Sequence, residues 1–135
     1  MDSIQFNEGL AYLTANGLPA TCRFLLSTKA VSAFAVTDTL AGAGSGEISG
    51  TGYARQSEAR PVPVGETITF TQLIFDNLGA SNWPNNIASW VLVTSADNSG
   101  KMLCAANLVA GGTVRDLSVP FTQEKVIPII AYTAS

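Results

Sequence analysis

The stretch that most limits what this chain can become is Ala88 to Ser95 (Ala-Ser-Trp-Val-Leu-Val-Thr-Ser), followed by Asp97-Asn98-Ser99-Gly100 and then Lys101 to Leu108. A short run rich in large and β-branched residues reads as a strand. The connection after it is tight, with Gly100 available for a positive φ, so the chain returns on itself and Lys101–Leu108 becomes the partner strand.

Thr21 to Thr28 (Thr-Cys-Arg-Phe-Leu-Leu-Ser-Thr) reads as a further buried strand. Tyr53 to Glu58 reads as another, with Tyr53 and Arg55 on one face and Ala54 and Gln56 on the other. Arg60 to Val64 is extended but broken by Pro61 and Pro63, which confines it to an edge or a crossing. Thr67 to Phe75 alternates Ile68 and Phe70 with threonines and reads as one strand. Asp76 to Asn86 is a loop rich in Asn, Gly, Pro and Ser. After the turn at Gly111-Gly112, Thr113–Val119 and Glu124–Tyr132 supply the last two strands. About seven strands at these turn spacings predict a mainly β, single-domain antiparallel sandwich or partly closed barrel spanning residues 1–135.

Two segments stand apart from that pattern. Asp2 to Asn16 is the helix candidate, with Asp2 or Ser3 as its cap, Asn16-Gly17 as its stop, and Phe6, Leu10 and Leu13 as an apolar stripe. A helix of about three turns is marginal alone, so the stripe must dock on the sheet or on a neighbouring subunit. Lys29 to Gly52 is a long loop rich in Ala, Gly, Ser and Thr, with a short helical turn at Val31–Val36 and nothing to pack at Ala41–Gly46. Loops of that length inside a small domain are usually functional or held by a partner, and this one is expected to be ordered by another chain.

The end of that loop carries the one recognisable motif, Glu47-Ile48-Ser49-Gly50-Thr51-Gly52-Tyr53-Ala54-Arg55-Gln56. Glu47, Ser49, Gly50, Gly52, Tyr53, Ala54, Arg55 and Gln56 match the Gly-Gly-Tyr-Ala-Arg-Gln signature of a family of small tailed-bacteriophage virion proteins, and the chain resembles that family in element order as well. It departs in two places. Thr51 replaces the middle glycine of a Gly-Gly-Gly run, and Leu26-Ser27-Thr28-Lys29-Ala30 stands where the family has Leu-His-Thr-Ala-Asp-Pro. The resemblance implies a non-enzymatic virion structural protein, filed variously as minor structural, tail-fibre or head-decoration protein.

The residue inventory bears on chemistry directly. The chain has no histidine, which removes the commonest general base and metal ligand and every Ser-His-Asp or Cys-His arrangement. Its two cysteines, Cys22 and Cys104, are too few for an all-cysteine zinc site and read as buried free thiols. The glycine loop lacks the Gly-Lys-Ser/Thr ending of a phosphate loop. Glu47, Glu58, Asp76, Asp97 and Asp116 have no spacing that separates them from solvated turn acids. No cofactor and no metal are expected. The net charge of −3, with scattered cations, gives no footprint for nucleic acid. No apolar run approaches the roughly 18 to 20 residues of a membrane span, and no signal peptide is evident at the N-terminus.

Charged residues make up 13% of the chain, about half the usual share of roughly 25%, which fits a surface rich in Ser, Thr, Asn and Gly or one covered by partners. Arg55 is read either as a tie from its strand to the glycine loop through Glu47 or as a contact between subunits. Trp83, beside Pro84, is read as interface or as local core. Trp90 is core. Phe34 and Arg115 are further interface candidates. The expected partners are the chain itself, as a homo-oligomer and specifically a trimer, and the phage major capsid protein. The alternatives are a tail-associated receptor- or glycan-binding module, with Trp83 and Tyr53 as stacking platforms, or a head–tail connector.

Overall fold

The 88–108 hairpin lies at the centre of a five-stranded antiparallel sheet. A computed structural model describes residues 2–131. In chain order the elements are β1 (Ser3–Gln5), α1 (Asn7–Asn16), β2 (Thr21–Ser27), β3 (Gln56–Ala59), β4 (Thr67–Thr69), β5 (Leu73–Asp76), β6 (Ser89–Val93), β7 (Met102–Asn107), β8 (Gln123–Val126) and β9 (Ile129–Ala131). The main sheet runs β1-β7-β6-β2-β3, and two ribbons, β4-β9 and β5-β8, complete a small β-sandwich. The described residues hold nine strands where the pattern predicted about seven. No helix among them is long and apolar enough to cross a membrane.

The sheet is covered on both faces, which is why β2 and β6 read as unbroken apolar runs rather than as alternations. Phe24, Leu26, Trp90 and Leu92 face the ribbons and pack with Ile68, Phe70, Leu73, Phe75 and Val126. Leu25, Val91, Val93 and Ala105 face the other way and pack with Phe6, Phe34 and Leu40. Cys22 and Cys104 are both free and flank β6 on opposite sides. Two strand spacings, about 10 Å, are too far for a disulfide.

Several elements depart from the sequence-based expectation, each for a visible reason. The helix begins at Asn7, not Asp2, because Ser3–Gln5 pairs with Cys104–Ala106 of β7. Phe6 has extended backbone (φ −87°, ψ 148°) and offers no capping side chain. The Asp2 carboxylate instead accepts hydrogen bonds from the Gly111 N–H and the Asn107 amide. Gly17 does end the helix, at φ 73°, donating to the Leu13 carbonyl. The predicted stripe fails at Leu10, which is 54% exposed. Gly9 is buried against the sheet instead, where an added Cβ would lie 2.5 Å from Leu103 Cα. Residues 102–104 carry the bulge that admits this contact, since Val93 pairs with Met102 but Leu92 with Cys104.

Thr67–Phe75 is two strands rather than one. Ile68 and Phe70 are buried, but so are Leu73 and Phe75, and a period of two cannot serve both pairs without an extra residue between them. The ribbon shows that extra residue as a one-place register change, from Ile68 opposite Ile130 to Leu73 opposite Val126. Thr113–Val119 makes no strand beyond a single bridge between Arg115 and Ile87. There Asn77 takes the Leu117 and Val119 carbonyls, and Leu117 N–H goes to Pro84. Glu124–Tyr132 is broken at Pro128 into β8 and β9, and Tyr132 lies outside the described residues.

The 29–52 loop is held by its own chain. Glu8 accepts from Leu40 N–H and Met102 N–H, both at 2.8 Å, which fastens loop, helix and β7 together. Lys29 Nζ donates to the Gly44 carbonyl and to Asp38, and Ser27 Oγ donates to the Ser45 carbonyl at 2.6 Å. Leu40, Ser45 and Ile48 are buried, so the segment packs against the body and needs no second chain to order it. The helical turn expected at Val31–Val36 shortens to a single 3-10 turn at Val31–Ala33.

Candidate functional site

The Glu47–Gln56 motif is built around one carboxylate. Glu47 and Ile48 occupy the edge of β2 beside Ser27 and Leu26, through a bridge to Ser27 and an Ile48 N–H bond to the Leu26 carbonyl. That forces the following residues to loop outward, so strand β3 begins only at Gln56, opposite Phe24, and not at Tyr53. The loop closes through a Tyr53 N–H to Gly50 carbonyl bond, with Gly52 at φ 78°, a conformation that favours glycine.

Around Glu47 the side chains converge. Arg55 Nε donates to Oε2 at 2.8 Å and its Nη2 donates to Oε1 at 2.9 Å, a forked pair. The remaining guanidinium donors reach the Ser95 and Asp97 carbonyls and the Asn98 side chain, fixing the turn between β6 and β7. Tyr53 Oη donates to Glu47 Oε2 at 3.0 Å and accepts from Leu26 N–H. Its ring stacks on Phe75 and meets Trp83 edge-on. Burial, then the neighbouring Glu47 charge, drives the phenol well above its ordinary range, so it stays a donor. The hydrogen bonds to Glu47 hold Arg55 firmly protonated. Both Glu47 oxygens are thus engaged by three donors in an arrangement that ties β2, the loop and the 95–98 turn together. Arg55 makes the tie to Glu47, and it does so from loop rather than strand.

Ser49 is exposed. Gly50 lies flat against the Trp83 indole, where a Cβ would collide with the ring. Thr51, the departure from the family signature, has its own role. Its N–H donates to Asn82 Oδ1, its hydroxyl accepts from Asn82 Nδ2, and its carbonyl accepts from Trp83 Nε1 at 2.8 Å.

The residues predicted as interface fall out differently from one another. Trp83 is 3% exposed and belongs to the core beneath the motif. Phe34 is also inward, edge-on to Phe6 with Lys29 Nζ 4.8 Å from its ring centre. Pro84 is partly buried. Arg115 is half-exposed and pairs with Glu124 at 2.8 Å. Trp83 is therefore closed to a sugar, while Tyr53 is partly buried, with its ring stacked on Phe75 and edge-on to Trp83. Cys22 and Cys104 are pushed up by burial to about 11 and about 12, which leaves both as poorly nucleophilic thiols.

The surface feature that sequence reasoning missed lies at the far end of the β5-β8 ribbon. Leu78 (φ 51°) and Phe121 (φ 62°) both occupy the left-handed region, which bulky residues avoid, and are 73% and 83% exposed. The Phe121 ring lies over Gly79. Beneath them Asn77, buried, donates to the Leu117 and Val119 carbonyls and accepts from Gly79 and Thr122 N–H groups, locking the two turns together. The only sequence trace was a Leu between Asn77 and Gly79, and a Phe after Pro120, in otherwise polar turns.

None of the protein-family models, curated proteins or solved structures compared with this chain matches it.

Proposed function

We propose that this chain is a non-enzymatic structural protein of a tailed-bacteriophage virion. In this reading it is a decoration subunit on the outside of the head that binds the major capsid protein and copies of itself, as a trimer. The observation that carries the reading is how the motif residues are used. Every polar group of Arg55 and Glu47 that could serve a ligand is spent on internal bonds, while large apolar side chains stand in water at Leu78 and Phe121. Such an economy suits a rigid part that works through contact surfaces. The low charge and the resemblance at Glu47–Gln56 support the same reading. Modest contacts repeated around a shell add up to a large total, so no single one need be strong.

Of the stacking residues named for the tail-borne glycan-binding alternative, Trp83 is buried and Tyr53 is partly buried against the core, which gives that reading less support. The test is copy number. Densitometry of purified particles of the phage that encodes the chain is expected to give a band comparable to that of the major capsid protein. A few copies per particle, or none, overturns the decoration assignment.

A further inference from the structure

Asn16-Gly17 closes α1, and it is the one place in the chain where glycine follows an asparagine. The pairing has a chemical consequence. The side-chain amide carbon of asparagine and the next backbone nitrogen can join in a five-membered ring, and a side chain on the following residue crowds that nitrogen. Glycine brings no such crowding. Asn16 and Gly17 are both exposed, and a Cβ built on Gly17 would meet nothing within 4 Å.

The fold separates Asn16 from the other asparagines. Asn77 is buried with both ends of its amide engaged. Asn98 accepts from Arg55 Nη2 at 2.7 Å, and the nitrogen that would attack it, that of Ser99, donates to Asp97 Oδ1. Asn107 accepts from Val31 N–H and donates to Asp2. The restraints on Asn16 are slighter. Its Nδ2 donates to the Tyr12 carbonyl at 3.2 Å, and Gly17 N–H donates to the Leu13 carbonyl at 2.8 Å. Both bonds come from the last turn of α1 itself. Helix ends open at a small fraction of the free energy that global unfolding takes.

We infer that Asn16-Gly17 is a site of spontaneous covalent modification, gated by fraying of the last turn of α1. Once the turn opens, the Gly17 nitrogen attacks Asn16 Cγ. A carbon–nitrogen bond forms, the bond from Cγ to Nδ2 breaks, and ammonia leaves, carrying the equivalent of the proton lost by the Gly17 nitrogen. Water then opens the succinimide at either carbonyl, giving aspartate or isoaspartate at position 16. Water is the only co-reactant, and nothing is oxidised or reduced.

The product loosens the end of the helix. A new carboxylate stands at the C-terminal end, where the helix dipole opposes negative charge. The donor to the Tyr12 carbonyl is lost. The isoaspartyl form also lengthens the main chain by one carbon inside the ring that the Gly17-to-Leu13 bond closes. Tyr12, Leu13 and Leu18 pack against the core from this end, so they feel the change first. Glu8, two turns back, keeps its bonds to Leu40 and Met102 N–H.

The test follows the full chain at neutral pH, folded and in guanidinium, by peptide mapping that distinguishes aspartate from isoaspartate. In the folded protein Asn16 is expected to react before any other asparagine. It should do so less than about a hundredfold more slowly than in the denatured chain, because local opening suffices where global unfolding would slow it a thousandfold or more. Asn16→Gln should remove the first acidic species seen on isoelectric focusing. Asn16→Asp, which carries the product charge, should speed amide exchange at Gly17 roughly two- to fivefold, the size of an unfavourable charge at a helix end, with Val91 unchanged. The inference is overturned if another asparagine reacts first in the folded protein, or if folding slows Asn16 by more than that hundredfold. It is also overturned if Asn16→Gln keeps the acidic species, or if Gly17 in Asn16→Asp exchanges as in the parent.

Discussion

Replacing Gly9 by alanine reverses sign according to how the helix is seated, which makes it a sharp probe of this fold. In a helix with room around it, Gly→Ala stabilises by up to about 1 kcal/mol through backbone entropy and helix propensity. Here the new Cβ would stand 2.5 Å from Leu103 Cα and 2.6 Å from the Leu103 and Met102 carbonyl oxygens. These are backbone atoms at the β7 bulge and cannot swing aside, so α1 must move by about 1 Å, an overpacking that costs roughly 1–3 kcal/mol. The same displacement stretches the two bonds that Glu8 accepts from Leu40 and Met102 N–H, and hydrogen bonds to a charged group are each worth about 1.5–3 kcal/mol. Partial loss of those, less the propensity gain, leaves a net destabilisation of about 3 kcal/mol. For a chain of this length that lowers the melting temperature by roughly 10 °C. Calorimetry reads the total, and amide hydrogen exchange at Leu40 and Met102 should accelerate more than at Val91. Ala11→Gly, on the exposed side of α1, calibrates the propensity term alone at about 1 kcal/mol of loss. A Gly9→Ala protein that melts at or above the parent would refute the close helix–sheet seating.

Trp83→Ala is expected to cost about 4 kcal/mol of monomer stability, the loss of a buried indole that fills the space under Gly50 and Tyr53; denaturant midpoints check it. A variant that kept its midpoint but failed to assemble would return Trp83 to an interface role. Arg55→Ala should cost about 3 kcal/mol by leaving Glu47 part-buried without its charge partner, and Arg55→Lys should recover little because an ammonium cannot fork. The double variant with Glu47→Ala should lose less than the two singles combined, and strict additivity would argue against the tie. Alkaline pH should destabilise the protein. The Cys22 and Cys104 thiols ionise near 9.0 in the unfolded chain but at about 11 and about 12 when folded, so above pH 9 the folded state holds more protons and stability falls as pH rises. Tyr53 adds to this at higher pH in the same direction. Denaturant midpoints between pH 7 and 10.5 should slope down, and Cys22→Ala with Cys104→Ala should flatten the slope.

The strands that were legible in the sequence are those whose signal is local. β2, β6 and β7 carry continuous apolar runs, and the turn between the last two announces itself in Asp97-Asn98-Ser99-Gly100. What was not legible depends on partners far away in the chain. Ser3–Gln5 looked like the first turn of a helix because nothing within ten residues shows that β7 has an open edge for it. Thr67–Phe75 looked like one strand because the change of buried parity between Phe70 and Leu73 is a single residue of phase, visible only once the returning strand fixes both faces. The Lys29–Gly52 loop looked unsupported because its supports, Glu8 and the end of β2, lie outside it.

The motif and the exposed Leu78–Phe121 surface divide along the same line. The Arg55–Glu47 tie was foreseeable, since a glutamate and an arginine eight residues apart across a glycine turn have few other ways to be satisfied. Trp83 was ambiguous because its neighbours in sequence are polar, while its neighbours in space, Tyr53 and Gly50, come from a loop thirty residues earlier. Leu78 and Phe121 were invisible for a different reason. Composition reports that apolar residues exist, and periodicity reports which face of an element they share, but neither reports a positive φ. Leu78 and Phe121 both hold that backbone state and both stand exposed, at positions bound together by one buried asparagine. Asparagine tolerates that backbone state better than Leu or Phe, so replacing Leu78 and Phe121 with asparagine should leave the fold at least as stable while removing the apolar surface.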